Sequence, residues 1–253
     1  MEAKEMKLMF CSIPRHLFYQ RGAISLFMLK KGLVPINPYM NFDYNLFSQL
    51  DKKTVRLANN NLVRFSDGMA VFMDEPENLT DGVLFEVGLA GKKEIKSYTV
   101  PDFKEHPGRI AQGGDVPYYG NRLKEKLPVI YTAISKHFFY YRMHISKYVL
   151  SNGAVPLNPF TLFDYFILDG AERKTIREAN NRMVSRADEL WVFGPVSDGV
   201  KEEIDLAEKA SKKIRYFSII GSKEIRQISK DEVEFEEEDR AWRHGRASVR
   251  TRI

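Results

Sequence analysis

The chain has 253 residues, of which 43% are hydrophobic and 29% charged, enough apolar residues for one large or two small cores. This composition excludes a disordered or fibrous chain, and the net charge of +5 permits an anionic ligand without requiring nucleic acid. The single cysteine, Cys11, excludes an intrachain disulfide framework and a CxxC-type zinc site, and favours a reducing compartment. Because the chain starts without a signal-peptide core and contains no apolar stretch of about 20 residues, we expect a cytoplasmic protein with no membrane partner.

An internal repeat organises the sequence. A shift of 121 positions aligns residues 12–72 with residues 133–193 without a gap, and about 25 of the 61 aligned positions are identical. After four extra residues in the first copy, DGVLFEVGLA from Asp81 aligns with DGVKEEIDLA from Asp198. One long period and two copies predict two similar compact units rather than a solenoid.

The composition between and after the copies predicts four regions. Gly and Pro are frequent between the copies, and an acidic block followed by a basic block ends the chain. The predicted regions are a first unit over 1–100, a linker over 101–126, a second unit over 127–220 and a charged tail over 221–253. Pairing of the two charged blocks with each other explains the tail better than nucleic-acid binding does.

Within each copy, the apolar pattern predicts alternating strands and helices. In the first copy these are a strand over Leu8–Cys11, a helix over Phe18–Lys31, a Val-Pro strand, a helix over Asp51–Phe65, a strand over Met69–Met73, an Asp-Gly turn, a helix over Phe85–Ala90 and a strand over Ile95–Tyr98. The second copy repeats this order, with strands at Val129–Tyr131, Glu189–Phe193 and Ile214–Phe217 and helices at Glu172–Ser185 and Glu202–Lys209. The fold class is therefore α/β: two tandem flavodoxin-like or Rossmann-like units, each with a parallel sheet covered by helices on both faces.

Three segments of each copy are expected to meet beyond the carboxyl ends of the strands, where parallel α/β sheets bind ligands. The first is the loop after the first strand, which offers hydroxyls and cations suited to a phosphate. Its candidate residues are Ser12, Arg15 and His16 in the first copy and Ser135, Lys136 and His137 in the second. The alternative is a helix-capping hydroxyl beside a surface cation.

The other two segments supply carboxylates. An aspartate precedes the middle strand in each copy, at Asp67 and Asp188, where it can also simply end the long helix. Further along, an Asp-Gly pair precedes a glutamate: Asp81, Gly82 and Glu86 in the first copy, Asp198, Gly199 and Glu203 in the second. The glycine permits a tight turn beside a ligand, and the glutamate at the start of the next helix points into the same cleft. The alternative for each glutamate is a surface group that complements the helix dipole.

Taken together, this order of motifs resembles the nucleoside 2-deoxyribosyltransferase family and its relatives, the 2'-deoxynucleoside 5'-phosphate N-hydrolases. The resemblance is best in DGVLFEVGLAGKKEIKSY, where Gly88 and Ala90 stand where the family packs its helix against the sheet. The second copy keeps Glu203 but has Asp205 in place of the glycine, which predicts looser packing there. The segments FDY, R-x-A-N-N and N-P, shared by both copies, are not part of the family pattern.

The resemblance implies cleavage or transfer of the N-glycosidic bond of deoxynucleosides or their 5'-monophosphates, with Glu86 and Glu203 as nucleophiles. It also implies that the aspartates orient the base or protonate the leaving nitrogen, and that the first loop holds a 5'-phosphate if the substrate is a nucleotide. We expect no cofactor and no metal, since neither His16 nor His137 has a neighbouring ligand.

The partner predicted from the resemblance is a small-molecule nucleoside or nucleotide, and nucleic acid is not expected. The tandem copies imply a pseudo-dimer of the two repeats within one chain, while homo-oligomers of whole chains stay open. Two other functions also stay open: a nucleotide-binding or sensing module with little or no catalysis, and a glycohydrolase that cleaves the nicotinamide bond of NAD.

Overall fold

A computed structural model of the chain describes residues 5–42, 50–75, 78–107, 110, 125–221 and 224–236. Most of the predicted linker and of the predicted charged tail lies outside the described residues, as do Asp43 and Tyr44 of the first FDY segment. No helix within the described part of the chain is long and apolar enough to span a bilayer.

The described residues of the first unit form five strands and the helices that cover them. Its strands are β1 (Lys7–Ser12), β2 (Leu33–Ile36), β3 (Gly68–Met73), β4 (Glu94–Thr99) and β5 (Lys104–Glu105), and its helices are α1 (Arg21–Lys30), α2 (Pro38–Asn41), α3 (Lys52–Phe65) and α4 (Asp81–Ala90). A 3-10 helix over Arg15–Gln20 precedes α1. All six residues of β3 are buried, as expected for a strand covered on both faces.

The second unit repeats this arrangement. Its strands are β6 (Val129–Ile134), β7 (Val155–Leu157), β8 (Glu189–Phe193), β9 (Lys213–Ile220) and β10 (Glu224–Ile228), and its helices are α5 (Arg142–Ser151), α6 (Pro159–Leu162), α7 (Tyr165–Gly170), α8 (Arg173–Arg186) and α9 (Asp198–Lys209). A 3-10 helix over Lys136–Tyr141 precedes α5.

The strand order is the same in both sheets. It runs β2-β1-β3-β4-β5 in the first and β7-β6-β8-β9-β10 in the second, with the last strand of each antiparallel and the other four parallel. This is the flavodoxin-like order with its fifth strand reversed. The prediction of two tandem α/β units is confirmed, whereas the two antiparallel edge strands were not predicted.

Helices cover both faces of each sheet because strand side chains alternate in direction. In the first unit, Met9 and Cys11 of β1 pack with Ile24 and Met28 of α1. Phe10, from the same strand, belongs to the cluster formed with α3 and α4 on the opposite face. That second cluster continues without interruption into the second unit, so the two units share one core.

Helices α4 and α9 begin earlier than the sequence pattern predicted. The Thr80 hydroxyl accepts a hydrogen bond from Val83 N at the start of α4, and the Ser197 hydroxyl accepts one from Val200 N at the start of α9. Each Asp-Gly pair is therefore the first turn of a helix, and the predicted Asp-Gly turn is wrong. A hydroxyl cap three residues before a helical amide explains the earlier start.

The two units contact each other through reciprocal elements. Helix α3 packs on β6 and β7, α8 packs on β2, and α2 packs on α6. Polar groups also cross the contact: Asn41 Nδ2 donates to the carbonyl of Pro156 at 2.7 Å, and Asn61 accepts from Leu127 N at 3.1 Å. These buried contacts fix the position of one sheet relative to the other.

Candidate functional site

In the first unit, Glu86 lies where the carboxyl end of β1 meets the first turns of α4. Ser12, the last residue of β1, donates a hydrogen bond from Oγ to Glu86 Oε2, and Asn59 of α3 donates from Nδ2 to Oε1 at 2.7 Å. Burial raises the pKa of Glu86 to about 7, although both hydrogen bonds act in the opposite direction. The carboxyl group therefore gains or loses its proton near neutral pH.

Glu203 occupies the corresponding place in the second unit. The Tyr131 hydroxyl, from the buried strand β6, donates a hydrogen bond to Glu203 Oε1 at 2.6 Å. Burial raises the pKa of Glu203 to about 7, with the Tyr131 bond opposing the shift. Burial, followed by the charge of Glu203, raises the pKa of Tyr131 well above its ordinary value, so the phenol remains a donor.

The hydroxyl that binds the glutamate comes from different positions in the two units. In the 121-residue register, Phe10 corresponds to Tyr131 and Ser12 corresponds to Ala133. The two positions are two residues apart on one strand, so they face the same side of the sheet. Each unit thus supplies one hydroxyl to its glutamate, from a neighbouring position on the same strand face.

The second unit has a cavity of about 350 Å³ beside Glu203. The cavity brings together five residues predicted for this site: Lys136, His137, Asp198, Gly199 and Glu203. Phe160, Phe163 and Ile176 form its apolar wall, and Asn180 and Glu236 add further polar groups. The volume lies in the lower range of cavities that bind small molecules.

In the first unit, the loop after β1 contains the predicted residues Arg15 and His16. His16 Nε2 lies 3.2 Å from a carboxylate oxygen of Asp74, which follows β3. Burial, followed by the charge of Glu86, raises the pKa of Tyr39 to about 12, and the charge of Arg15 opposes this shift. Tyr39 therefore lies within the electrostatic range of both Arg15 and Glu86.

Ser135 has a capping role. It is buried, and its Oγ accepts a hydrogen bond from His137 N at 3.2 Å at the start of the 3-10 helix. In the repeat register it corresponds to Pro14, so Ser12 and Ser135 are not equivalent positions. The capping alternative that the sequence left open therefore applies to Ser135.

Asp67 and Asp188 are not brought together with the glutamates. Asp67 accepts a hydrogen bond from Leu8 N at 2.9 Å, and Asp188 accepts one from Val129 N at 2.7 Å. Both contacts lie at the amino ends of parallel strands, away from the carboxyl edge of the sheet. In the first unit, Leu8 is four residues, or about 13 Å of strand, from Ser12, which bonds Glu86. Their position does not support the predicted catalytic role; these carboxylates bind the first amides of β1 and β6.

Asp67 also connects the two units. Arg182 of α8, whose side chain is only 15% exposed, lies 3.1 Å from its carboxylate. Burial raises the pKa of Asp67, but the hydrogen bonds from Leu8 N and Arg182 outweigh it and hold the pKa below its usual value. The residue therefore joins the start of β1 to the second unit.

The Asp67→Asn variant is expected to lower the free energy of unfolding by about 2 kcal/mol. Arg182 is largely buried, and the substitution removes one of its two carboxylate partners and leaves only the exposed Glu5. Urea unfolding measures this change, and Asp102→Asn, at an exposed ion pair with Lys104, is the matched control. We expect base release, where it is found, to stay at the wild-type rate. A large loss of turnover with unchanged stability would instead support the catalytic role predicted from the sequence.

Asp81 and Asp198 are exposed residues at the first positions of α4 and α9. The next residue in each, Gly82 or Gly199, is helical. A Cβ placed on Gly82 would meet nothing closer than 3.8 Å, so the glycine is not required by a tight turn. The prediction of a tight turn beside a ligand is wrong: each Asp-Gly pair begins a helix, and the glycine leaves the surface there without a side chain.

The glycine expected to pack α4 against the sheet does not do so. Gly88 is exposed, whereas Ala90 and its counterpart Ala207 are buried. Asp205, which replaces the glycine in the second unit, lies toward the surface of α9 and pairs with Lys201 at 2.8 Å. The looser packing predicted for the second unit has no support in the structure.

Besides the hydroxyl donor Tyr131, two asparagines and one glutamate of the site were missed in the sequence. Asn59 and Asn180 come from the shared R-x-A-N-N segment, which was recognised as repeated but was given no role. Asn59 bonds Glu86 directly, and Asn180 lines the cavity beside Glu203. Glu236 lies in the acidic block of the predicted tail, where no pattern distinguishes it from its neighbours.

The fold and this site define a tandem α/β protein with one partly buried glutamate at the sheet edge of each unit. Residues 131–217 match a family model described as a domain of unknown function (DUF7768). The matched segment begins at Tyr131 and ends in β9, so it contains both the hydroxyl donor and Glu203. No curated protein matches the chain.

Proposed function

We propose that the protein cleaves or transfers the N-glycosidic bond of deoxynucleosides or their 5'-monophosphates, with Glu203 and Glu86 as nucleophiles. The observation that carries this proposal is the pair of partly buried glutamates, each bound by a hydroxyl from the first strand of its sheet. The resemblance of the surrounding motifs to the nucleoside 2-deoxyribosyltransferase family supports the choice of substrate.

The glutamate carboxylate has the chemistry that this reaction needs. Its oxygen attacks the anomeric carbon, the bond from that carbon to the base nitrogen breaks, and the electron pair leaves with the base, which takes up a proton. The resulting glycosyl ester is then opened by water or by a second base. A pKa near 7 leaves a substantial ionised fraction at neutral pH, and the positive charge developing on the sugar favours the ionised form.

The cavity of the second unit supplies groups for the rest of a nucleoside. Phe160 and Phe163 offer an apolar surface for a base, and Asp198 stands at the exposed start of α9, where it can accept hydrogen bonds from amino groups. Tyr131 fixes one oxygen of Glu203 and so orients the carboxylate before the substrate binds. No metal or cofactor is needed for this displacement.

The proposal is tested by incubating the full chain with deoxynucleosides, deoxynucleoside 5'-monophosphates and NAD, with and without a second base, and separating the products by chromatography. We expect free base from a deoxynucleoside or its monophosphate. A requirement for the second base identifies a transferase, and release in water identifies a hydrolase. Nicotinamide release alone would identify the NAD-cleaving alternative, and binding measured by calorimetry without any release would identify a nucleotide-binding module.

A further inference from the structure

The last described segment of the chain forms part of the cavity wall in the second unit. Phe235 forms a parallel bridge with Val196, the residue that precedes the Ser197 cap of α9. Two backbone hydrogen bonds hold the segment: Val196 N donates to Glu234 O at 2.9 Å, and Glu236 N donates to Val196 O at 3.2 Å. This pairing places Glu236 in the wall of the cavity that Glu203 also lines.

The carboxylate of Glu236 is built into the site. Its side chain is only 9% exposed, and Oε2 lies 3.3 Å from Nδ1 of His137. The other oxygen, Oε1, is buried and has no hydrogen-bond partner among the described residues. A buried acceptor without a donor is rare in folded proteins, and its position in a cavity wall indicates a donor supplied by a ligand.

Asn180 provides a second acceptor of the same kind. Its Oδ1 is buried and has no hydrogen-bond partner within the part of the chain that the structure describes, and the residue lines the same cavity. Two such acceptors in one cavity favour a ligand that is rich in hydroxyl or amino donors. The sugar hydroxyls and the exocyclic amino groups of a nucleoside are donors of this kind.

The same carboxylate opposes a phosphate. Lys136 and His137 are the groups that the sequence suggested for a 5'-phosphate, and both line the cavity. Glu236 lies against His137, so a phosphate bound there would face a carboxylate of the same sign in a partly buried place. Repulsion between these like charges disfavours a 5'-monophosphate relative to the unphosphorylated nucleoside.

We propose that the cavity of the second unit binds an unphosphorylated nucleoside, that Glu236 and Asn180 accept hydrogen bonds from its donors, and that Glu236 excludes the 5'-monophosphate. The choice of nucleosides as the ligand class rests on the proposed function. The contribution of Glu236 to selectivity rests on the geometry of the carboxylate and its unpartnered oxygen.

Glu236→Gln tests the inference, because it keeps the side-chain shape and removes the charge. Calorimetry measures the affinities of the full chain for the four common deoxynucleosides and their 5'-monophosphates. We expect the variant to bind a monophosphate at least about tenfold more tightly than wild type and the matching nucleoside several-fold more weakly. Glu234→Gln, at an exposed position two residues earlier, is expected to keep the wild-type affinities.

The opposite directions of the two changes make the result specific, since a local loss of structure would weaken both ligands. Equal effects on both ligands, no effect on either, or a wild-type protein that binds none of the deoxynucleosides would overturn the inference. If the protein binds nucleosides selectively, Glu236→Gln alters that binding and no base is released, the proposed enzyme activity is wrong and the proposed binding site is supported. If the protein releases base from monophosphates and Glu236→Gln does not change the rate, the enzyme activity is supported and the proposed selectivity of the site is wrong.

Discussion

The Glu203→Gln variant is expected to release base from a deoxynucleoside substrate at least about a thousandfold more slowly than wild type in the second unit, because an amide cannot form the glycosyl ester. Glutamine keeps the length of the side chain and an oxygen that can accept the Tyr131 hydrogen bond. The loss is therefore chemical rather than structural. Single-turnover base release measures it, and mass spectrometry of the quenched reaction detects the glycosyl adduct in wild type and not at residue 203 of the variant.

The matched control is Glu208→Gln. Glu208 lies on the same helix, and its carboxylate pairs with the exposed Lys230 at 2.8 Å, so the substitution removes an equal charge away from the cavity. Glu86→Gln, measured in parallel, gives the fraction of base release that the first unit contributes. The double variant Glu86→Gln/Glu203→Gln is expected to release no base. Unchanged release in the double variant would exclude both glutamates as nucleophiles.

The second large effect is the dependence of the free energy of unfolding on pH. Burial raises the pKa of Glu86 and Glu203 from 4.5 to about 7, so the folded protein retains two protons that the unfolded chain has lost. The stabilisation of the folded state by these protonated groups is complete below about pH 4.5 and is lost as the pH rises through about 7. Each glutamate is expected to reduce the free energy of unfolding by about 2.5 kcal/mol between pH 5 and pH 8.

Urea unfolding at pH 5, 6, 7 and 8 checks this prediction. We expect Glu203→Gln to be more stable than wild type at pH 8 and to show a smaller fall in stability across the range, while Glu208→Gln follows the wild-type slope. The range stays above the region in which carboxylates of lowered pKa, such as Asp67, take up protons. Wild-type stability that rises steadily from pH 5 to pH 8 would contradict the raised pKa of both glutamates.

The two predictions describe one property of the site. The substitution that stops the chemistry is expected to stabilise the fold, because a partly buried carboxyl group that must ionise is unfavourable for folding at neutral pH. Sites that perform chemistry commonly reduce stability in this way. A variant that loses activity and gains stability at pH 8 therefore supports the proposed function more strongly than lost activity alone.

The repeat, the alternation of strands and helices, and the positions of both glutamates could be predicted from the sequence, because each is a local pattern. The edge strands could not, since β5 has two residues and β10 lies in a charged stretch without apolar alternation. The partners of the glutamates depend on tertiary structure. Asn59 reaches Glu86 from a helix 27 positions away, and Tyr131 lies within an apolar strand where an aromatic residue is ordinarily explained by packing.

The placement of Asp67 shows a different kind of error. The sequence placed it directly before a strand, and the residue before a parallel strand lies at the amino edge of the sheet, opposite the ligand-binding edge. The catalytic role predicted for Asp67 rests on the resemblance to the family's order of motifs, and this geometric rule contradicts it. The helix start at Asp81 differs from the predicted turn because an Asp-Gly segment is typical of turns, whereas the Thr80 cap that precedes it begins a helix.

The exchange of hydroxyl positions between the units restricts the route by which the two copies diverged. One copy has phenylalanine and serine on the strand face where the other has tyrosine and alanine, at residues 10, 12, 131 and 133. Going from one arrangement to the other one substitution at a time passes through an intermediate with both hydroxyls or with neither. Only the intermediate with both keeps a hydroxyl bound to the glutamate at every step, so an ancestor that carried tyrosine and serine together connects the present halves without losing that hydroxyl contact.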